Sequence, residues 1–120
     1  MEFRNDQPIY LQIMNDIKMD IVSGKIAPGD KLLSTRDLAL AIKVNPNTIQ
    51  RVYKELEAEE ICFTKRGMGT YVTEDEAVIQ RTKEELADKM VEDFVTGMKK
   101  INYSVDAIIR KIKNDKEGEA

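Results

Sequence analysis

The sequence predicts a mostly α-helical protein with one small β-hairpin, and three observations support this. Apolar residues recur at three- and four-residue spacing along most of the chain, the period of helices that bury one face. Two helix-cap signals, at Ser34 and Asn45, lie close together and open a short and then a longer helix. Directly after them, strand-like residues flank a basic, glycine-containing tip. Two capped helices joined by a brief turn make a helix-turn-helix, and a hairpin placed after it is a wing.

Pro8 suits a first helical turn, where a missing N–H is no loss. Ile9, Ile13, Ile17 and Ile21 follow at every fourth position, beside Tyr10, Met14 and Val22, and predict an amphipathic helix. Gly24 ends it, and Pro28-Gly29-Asp30 marks a turn. Lys31-Leu32-Leu33 has room for a very short strand. Ser34 with Asp37 three residues later reads as a capping box. The helix it opens turns Leu38, Ala41 and Ile42 inward. Asn45 then caps a second helix with Pro46 at its first position. Ile49, Val52, Tyr53 and Leu56 form its buried stripe.

In the hairpin, Ile61 and Phe63 alternate with polar neighbours, which turns Cys62 away from them as a small filler. Lys65–Gly69 breaks the chain, and Thr70-Tyr71-Val72 returns. Residues 74–101 then predict a long helix with a stripe of Ile79, Leu86, Met90, Phe94 and Met98, widened by Val91 and Val95. Asn102-Tyr103-Ser104 interrupts. Ser104 caps a last helix whose stripe is Val105, Ile108, Ile109 and Ile112, and the charged tail Asn114–Ala120 is expected to fray. The expected organisation is a winged helix-turn-helix domain over residues 1–73 and a two-helix segment over residues 74–120.

Composition narrows the chemistry. The 120 residues are 42% hydrophobic and 34% charged, as in a soluble globular protein. The absence of histidine removes the commonest general base and metal ligand. A single cysteine excludes an internal disulfide and the usual zinc sites, and a reducing cytoplasm is the expected setting. The start of the chain lacks a signal-peptide pattern, and no apolar run reaches the ~18–20 residues of a membrane span. The expectation is no enzyme, no cofactor, no metal and no membrane partner.

The net charge of −3 at first argues against nucleic acid. Residues 1–73, however, carry ten Lys/Arg against ten Asp/Glu, and residues 74–120 carry nine against twelve. The acidic excess therefore lies outside the helix-turn-helix. A neutral module binds DNA if its cations gather on one face.

On the second capped helix, Asn47, Thr48, Gln50, Arg51 and Lys54 are left for solvent or DNA. Gln50 can bond adenine bidentately and Arg51 guanine, so these two are the base-reading candidates. Asn45, Asn47 and Thr48 fit contacts that position the phosphate backbone. Polar outer residues are also what any surface helix shows, and Asn45 is explained as a cap alone. Arg36 sits in the first turn of its helix, against the macrodipole, so a DNA phosphate or a salt bridge to Asp37 or Asp30 would account for it. Arg66 and Gly67 at the wing tip fit a minor-groove contact or an ordinary turn. A winged-helix module that binds proteins without DNA is the alternative reading.

Together these motifs resemble the GntR family of bacterial transcription regulators over about residues 8–73. The resemblance rests on Pro28-Gly29 with Lys31-Leu32, then Ser34-x-Arg36-Asp37-Leu38-Ala39. It continues through Val44-Asn45-Pro46-Asn47-Thr48-Ile49-x-Arg51-x-Tyr53-x-Glu55-Leu56-Glu57 and ends with Arg66-Gly67-x-Gly69-Thr70-Tyr71-Val72. The Asn-Pro-Asn-Thr turn and the short helical tail look most like the YtrA subfamily. The resemblance implies a homodimeric regulator, most simply a repressor, on a palindromic double-stranded operator. Family DNA contacts carry over to Arg36, Asn45, Asn47, Thr48, Gln50, Arg66 and Gly67. Leu33 stands where the family usually has proline, Lys43 and Glu60 where it has glycine, and Pro46 where many members carry arginine. The two helices of the 47 residues after the wing cannot easily enclose a metabolite alone, so any small-molecule effector stays open. Their apolar stripes call for a second copy, through Leu86, Met90, Phe94, Met98, Ile108 and Ile112.

Overall fold

The structure is a computed structural model that describes the backbone of residues 1–117 and the side chains of residues 1–114. Among these residues five helices and one two-stranded antiparallel sheet are formed. The chain divides into two compact units, Met1–Lys83 and Glu84–Ala120.

The first unit holds α1 (Ile9–Val22), α2 (Thr35–Ile42), α3 (Pro46–Ala58), β1 (Cys62–Lys65), β2 (Gly69–Val72) and the opening turns of α4 (Glu76–Lys100). Its core gathers Ile13, Met14, Ile21, Leu32, Ala39, Ile49, Val52, Tyr53, Leu56, Ile61, Cys62, Val72 and Val78. This is the fold of a winged helix-turn-helix. The unit extends past the wing because Val78 of α4 joins its core, Ile79 packs against it and Thr82 is buried beside it. The division therefore lies later than the boundary expected after residue 73.

Both N-caps form as expected, and of the capping box at Ser34 the Ser34 half is present. The Ser34 hydroxyl accepts from the Asp37 N–H at 3.0 Å, and the Asn45 side chain accepts from the Asn47 N–H at 2.8 Å. Among the described residues, three helices end on a non-glycine residue in the left-handed region: Lys43 at φ 58°, Glu60 at φ 66° and Asn102 at φ 68°. At each, the following N–H reaches back to close the helix: Val44 to Ala39 O, Ile61 to Leu56 O and Tyr103 to Met98 O. Lys43 and Glu60 are the two positions where the sequence departs from expected glycines, so the turn geometry is kept without the residue that favours it.

The hairpin pairs Cys62 with Val72, Phe63 with Tyr71, Thr64 with Thr70 and Lys65 with Gly69. Lys31 adds a single bridge to Tyr71, and Leu32 N–H donates to Thr70 O at 2.8 Å. The very short strand expected there is thus one bridge long.

Several side chains face otherwise than the sequence pattern predicts. Cys62 is buried and Phe63 is 40% exposed. The strand begins at Cys62, so Ile61 is buried by the preceding bend and not by strand alternation. In α2 the buried residue is Ala39, while Ala41 is exposed. Ile9 is exposed at the start of α1, and Gln12 is buried instead. Gln12 holds the N-terminal segment by bonds to the Arg4 N–H, Arg4 O and Gln7 O.

The second unit contains the rest of α4 and α5 (Val105–Glu117). The Ser104 hydroxyl caps α5 by accepting from the Ala107 N–H at 3.1 Å. Met90, Val91, Phe94, Ile101, Val105, Ile109 and Ile112 are all exposed. The expected fraying of 114–120 falls largely outside the described side chains, and the helix itself runs through Glu117.

Candidate nucleic-acid interface

Helix α3 is fixed from below by four side chains at helical spacing. Ile49, Val52 and Leu56 are fully buried, and Tyr53 donates its hydroxyl to Leu33 O at 2.6 Å, which ties α3 to the segment before α2. Burial followed by the Cys62 thiol pushes Tyr53 up from 10.0 to about 12. Burial followed by the Glu57 carboxylate pushes the Cys62 thiol up from 9.0 to about 12, so Cys62 is a protonated packing residue. The C-terminal end of α3 is held twice: Lys18 of α1 pairs with Glu59 at 2.9 Å, and Arg81 of α4 donates to Glu59 O at 2.7 Å.

With the inner stripe anchored, Asn45, Asn47, Gln50, Arg51 and Lys54 are left exposed. Thr48 is half-buried, and its N–H donates to Asn45 O. Asn47, Gln50, Arg51 and Lys54 are spaced to share one outward face of α3. Among the described residues, the Gln50 and Lys54 side chains make no hydrogen bond or ion pair. Arg36 is likewise exposed on α2, with neither of the salt bridges considered for it; Asp30 instead accepts from the Ala27 N–H.

At the wing tip, Met68 N–H donates to Lys65 O at 2.8 Å across Arg66 and Gly67. Gly67 has φ +77°, and apart from its own residue and its two chain neighbours no atom lies within 4 Å of the point where a Cβ would stand, so that side is open. A positive φ at the third residue of such a turn requires glycine or strains anything else. Arg66 is exposed beside it. On the outer face of the wing, Phe63 and Tyr71 stack with ring centroids 6.0 Å apart, and the Lys65 ammonium lies 4.6 Å from the Tyr71 ring centre.

Arg51 is placed differently from a free outward arginine. Its guanidinium carbon lies 3.6 Å above the centre of the Tyr10 ring, and its Nε is 3.4 Å from the Glu55 carboxylate. The sequence pattern places Tyr10 beside the apolar stripe of α1 and carries no mark of a partner on α3. Of the residues expected to pair two copies, Met90, Phe94 and Ile112 are exposed, and Leu86 and Met98 are half-buried. Ile108 is only 3% exposed within the single chain, so it packs there and leaves little surface for a partner.

Residues 9–72 match the model of the gntR family of bacterial regulatory proteins. The chain belongs to the GntR family. It is 36% identical over 124 residues to the HTH-type transcriptional repressor YtrA of Bacillus subtilis, across 97% of this chain and 95% of that protein. A GntR family transcriptional regulator from Listeria monocytogenes has a similar structure, with a TM-score of 0.84 and 44% identity over 93% of this chain and 98% of that one. The AraR DNA-binding domain, solved in complex with operator ORX1, has a TM-score of 0.56 at 26% identity and covers 60% of this chain and 93% of that one. Within the family the chain is YtrA-like. It is a DNA-binding transcriptional regulator of the GntR family.

Proposed function

We propose that this GntR-family regulator acts in the cytoplasm as a homodimeric repressor on a palindromic operator, with α3 in the major groove and the wing against the flanking minor groove. The observation that carries this reading is the outward face of α3, where Asn47, Gln50, Arg51 and Lys54 are exposed over a fully buried stripe. Gln50 and Arg51 read base edges. Asn45, Asn47 and Thr48 position the first turn of α3 against the backbone. Arg36, exposed and without a partner among the described residues, grips phosphate. Arg66 and Gly67 make the wing contact, with the glycine allowing close approach.

Pairing runs through the second unit. Met90, Phe94 and Ile112 are exposed along its helices, with Leu86 and Met98 half-buried. Apolar surface of this extent calls for a partner, and a symmetric copy is the commonest one. Repression follows from occupancy of an operator, and the relative YtrA is named a repressor.

The test is fluorescence anisotropy with labelled DNA from the promoter of the gene's own operon, repeated at rising salt. Tight binding that weakens steeply with salt supports the reading. No salt-sensitive binding at low micromolar protein would overturn it in favour of a protein-interaction module.

A further inference from the structure

Arg51 sits on the outward face of α3, yet among the described residues it is the one member of that face held in place from another helix. The Tyr10 ring lies beneath its guanidinium at 3.6 Å, and Tyr10 itself packs partly buried against the core. On the side, Glu55 faces Nε at 3.4 Å. These two contacts leave a particular part of the group available. Stacking uses the flat face of a guanidinium, whereas its hydrogen bonds run in the plane of the group. With one face on Tyr10 and Nε toward Glu55, the two terminal nitrogens are left as a fork with no hydrogen-bond partner among the described residues. The side chain is still 58% exposed.

We infer that Tyr10 is a specificity-determining positioning residue, which sets the Arg51 fork for bidentate recognition of guanine from outside the helix-turn-helix. A long arginine in solvent samples many rotamers, and ordering it on binding is unfavourable. A ring anchored in the core orders it beforehand, so the gain appears in discrimination between bases. The Glu55 carboxylate strengthens this bias, because it disfavours a phosphate near the same group and leaves the in-plane guanine edge as the better match. This inference rests on the proposal that α3 reads DNA.

The test begins with duplexes that the wild-type protein enriches from a random pool, which define its preferred base pairs. Anisotropy then compares Tyr10→Leu, Tyr10→Phe, Arg51→Ala and Arg51→Lys on the preferred duplex and on duplexes with each G·C pair replaced. Arg51→Ala and Tyr10→Leu are expected to lose preference at the same G·C pair, Tyr10→Leu by about five- to tenfold. Tyr10→Phe, which keeps a ring, restores that preference. Arg51→Lys, a surface change that keeps the charge but not the planar fork, loses it as Arg51→Ala does. Undiminished preference in Tyr10→Leu, or equal weakening on every duplex, would overturn the inference. If Tyr10→Leu does not fold, undiminished preference in Arg51→Lys overturns it instead. Failure of the wild-type protein to enrich any sequence would remove the underlying reading of α3, a different and separable result.

Discussion

The two units use apolar residues in opposite ways. In Met1–Lys83 the large apolar side chains of α3 are closed off, with Ile49, Val52 and Leu56 fully buried. In Glu84–Ala120 much of the stripes of α4 and α5 lies open: Phe94 is 46% exposed and Ile112 48%, although Ile108 is buried. Helical apolar periodicity thus marks a closed core in one unit and a partly exposed stripe in the other. Exposed polar groups differ in the same sense. The first unit presents cations such as Arg36 and Lys54, without ion-pair partners among the described residues, over a buried core. The second carries an acidic excess unsuited to phosphate.

The largest expected contrast comes from truncating each stripe. Leu56→Ala should destabilise the first unit by about 3 kcal/mol or more, read as the urea midpoint of unfolding. Phe94→Asp should leave the fold of a single chain nearly unchanged but raise the dissociation constant of self-association on the order of a hundredfold, read by analytical ultracentrifugation. A Phe94→Asp variant that associates like the wild type would place the pairing surface elsewhere.

Within the first unit, Arg51 and Arg36 should separate by kind of effect. Arg51→Ala is expected to relax base preference at one position by about 1–3 kcal/mol. Arg36→Ala should weaken binding to all sequences alike and lower the slope of log affinity against log salt by about 0.9. Equal effects of Arg51→Ala on every duplex would move it to the phosphate group of contacts.

Alkaline pH probes the core of the first unit next. Tyr53 and Cys62 lose protons near 10.0 and 9.0 in the unfolded chain but only at about 12 when folded. Their folded pKa values are raised, so the folded state binds more protons between those limits. Stability is therefore full below about pH 9 and falls as pH rises toward 12. Urea midpoints measured along this range should fall, and Cys62→Ala should delay the onset. A smaller effect concerns the left-handed helix ends. Lys43→Gly and Glu60→Gly should each raise stability by up to about 1 kcal/mol, and Asn102→Gly by less, because asparagine tolerates this conformation.

Much of this was legible in the sequence where local rules act alone. The caps at Ser34 and Asn45 and the inner stripe of α3 depend on neighbours within a turn or two, and they lie as expected. The phase of β1 did not, because Cys62 faces inward only through the bend at Ile61 set by the Glu60 turn. Burial of Gln12 was hidden for a similar reason: its partners, Arg4 and Gln7, belong to a segment with no periodicity. At the candidate site, the outward positions of α3 followed from helix geometry. The Tyr10–Arg51 stack did not, since a contact between α1 and α3 leaves no spacing signal.

In the proposed function the first unit reads a DNA sequence and the second pairs two copies to do so. Selection of duplexes from a random pool by the purified full chain tests both parts in one readout. An inverted repeat should be enriched, and it should be lost when Gln50 and Arg51 are both replaced by alanine. Enrichment of a single unrepeated site, or of no sequence at all, would contradict that proposal.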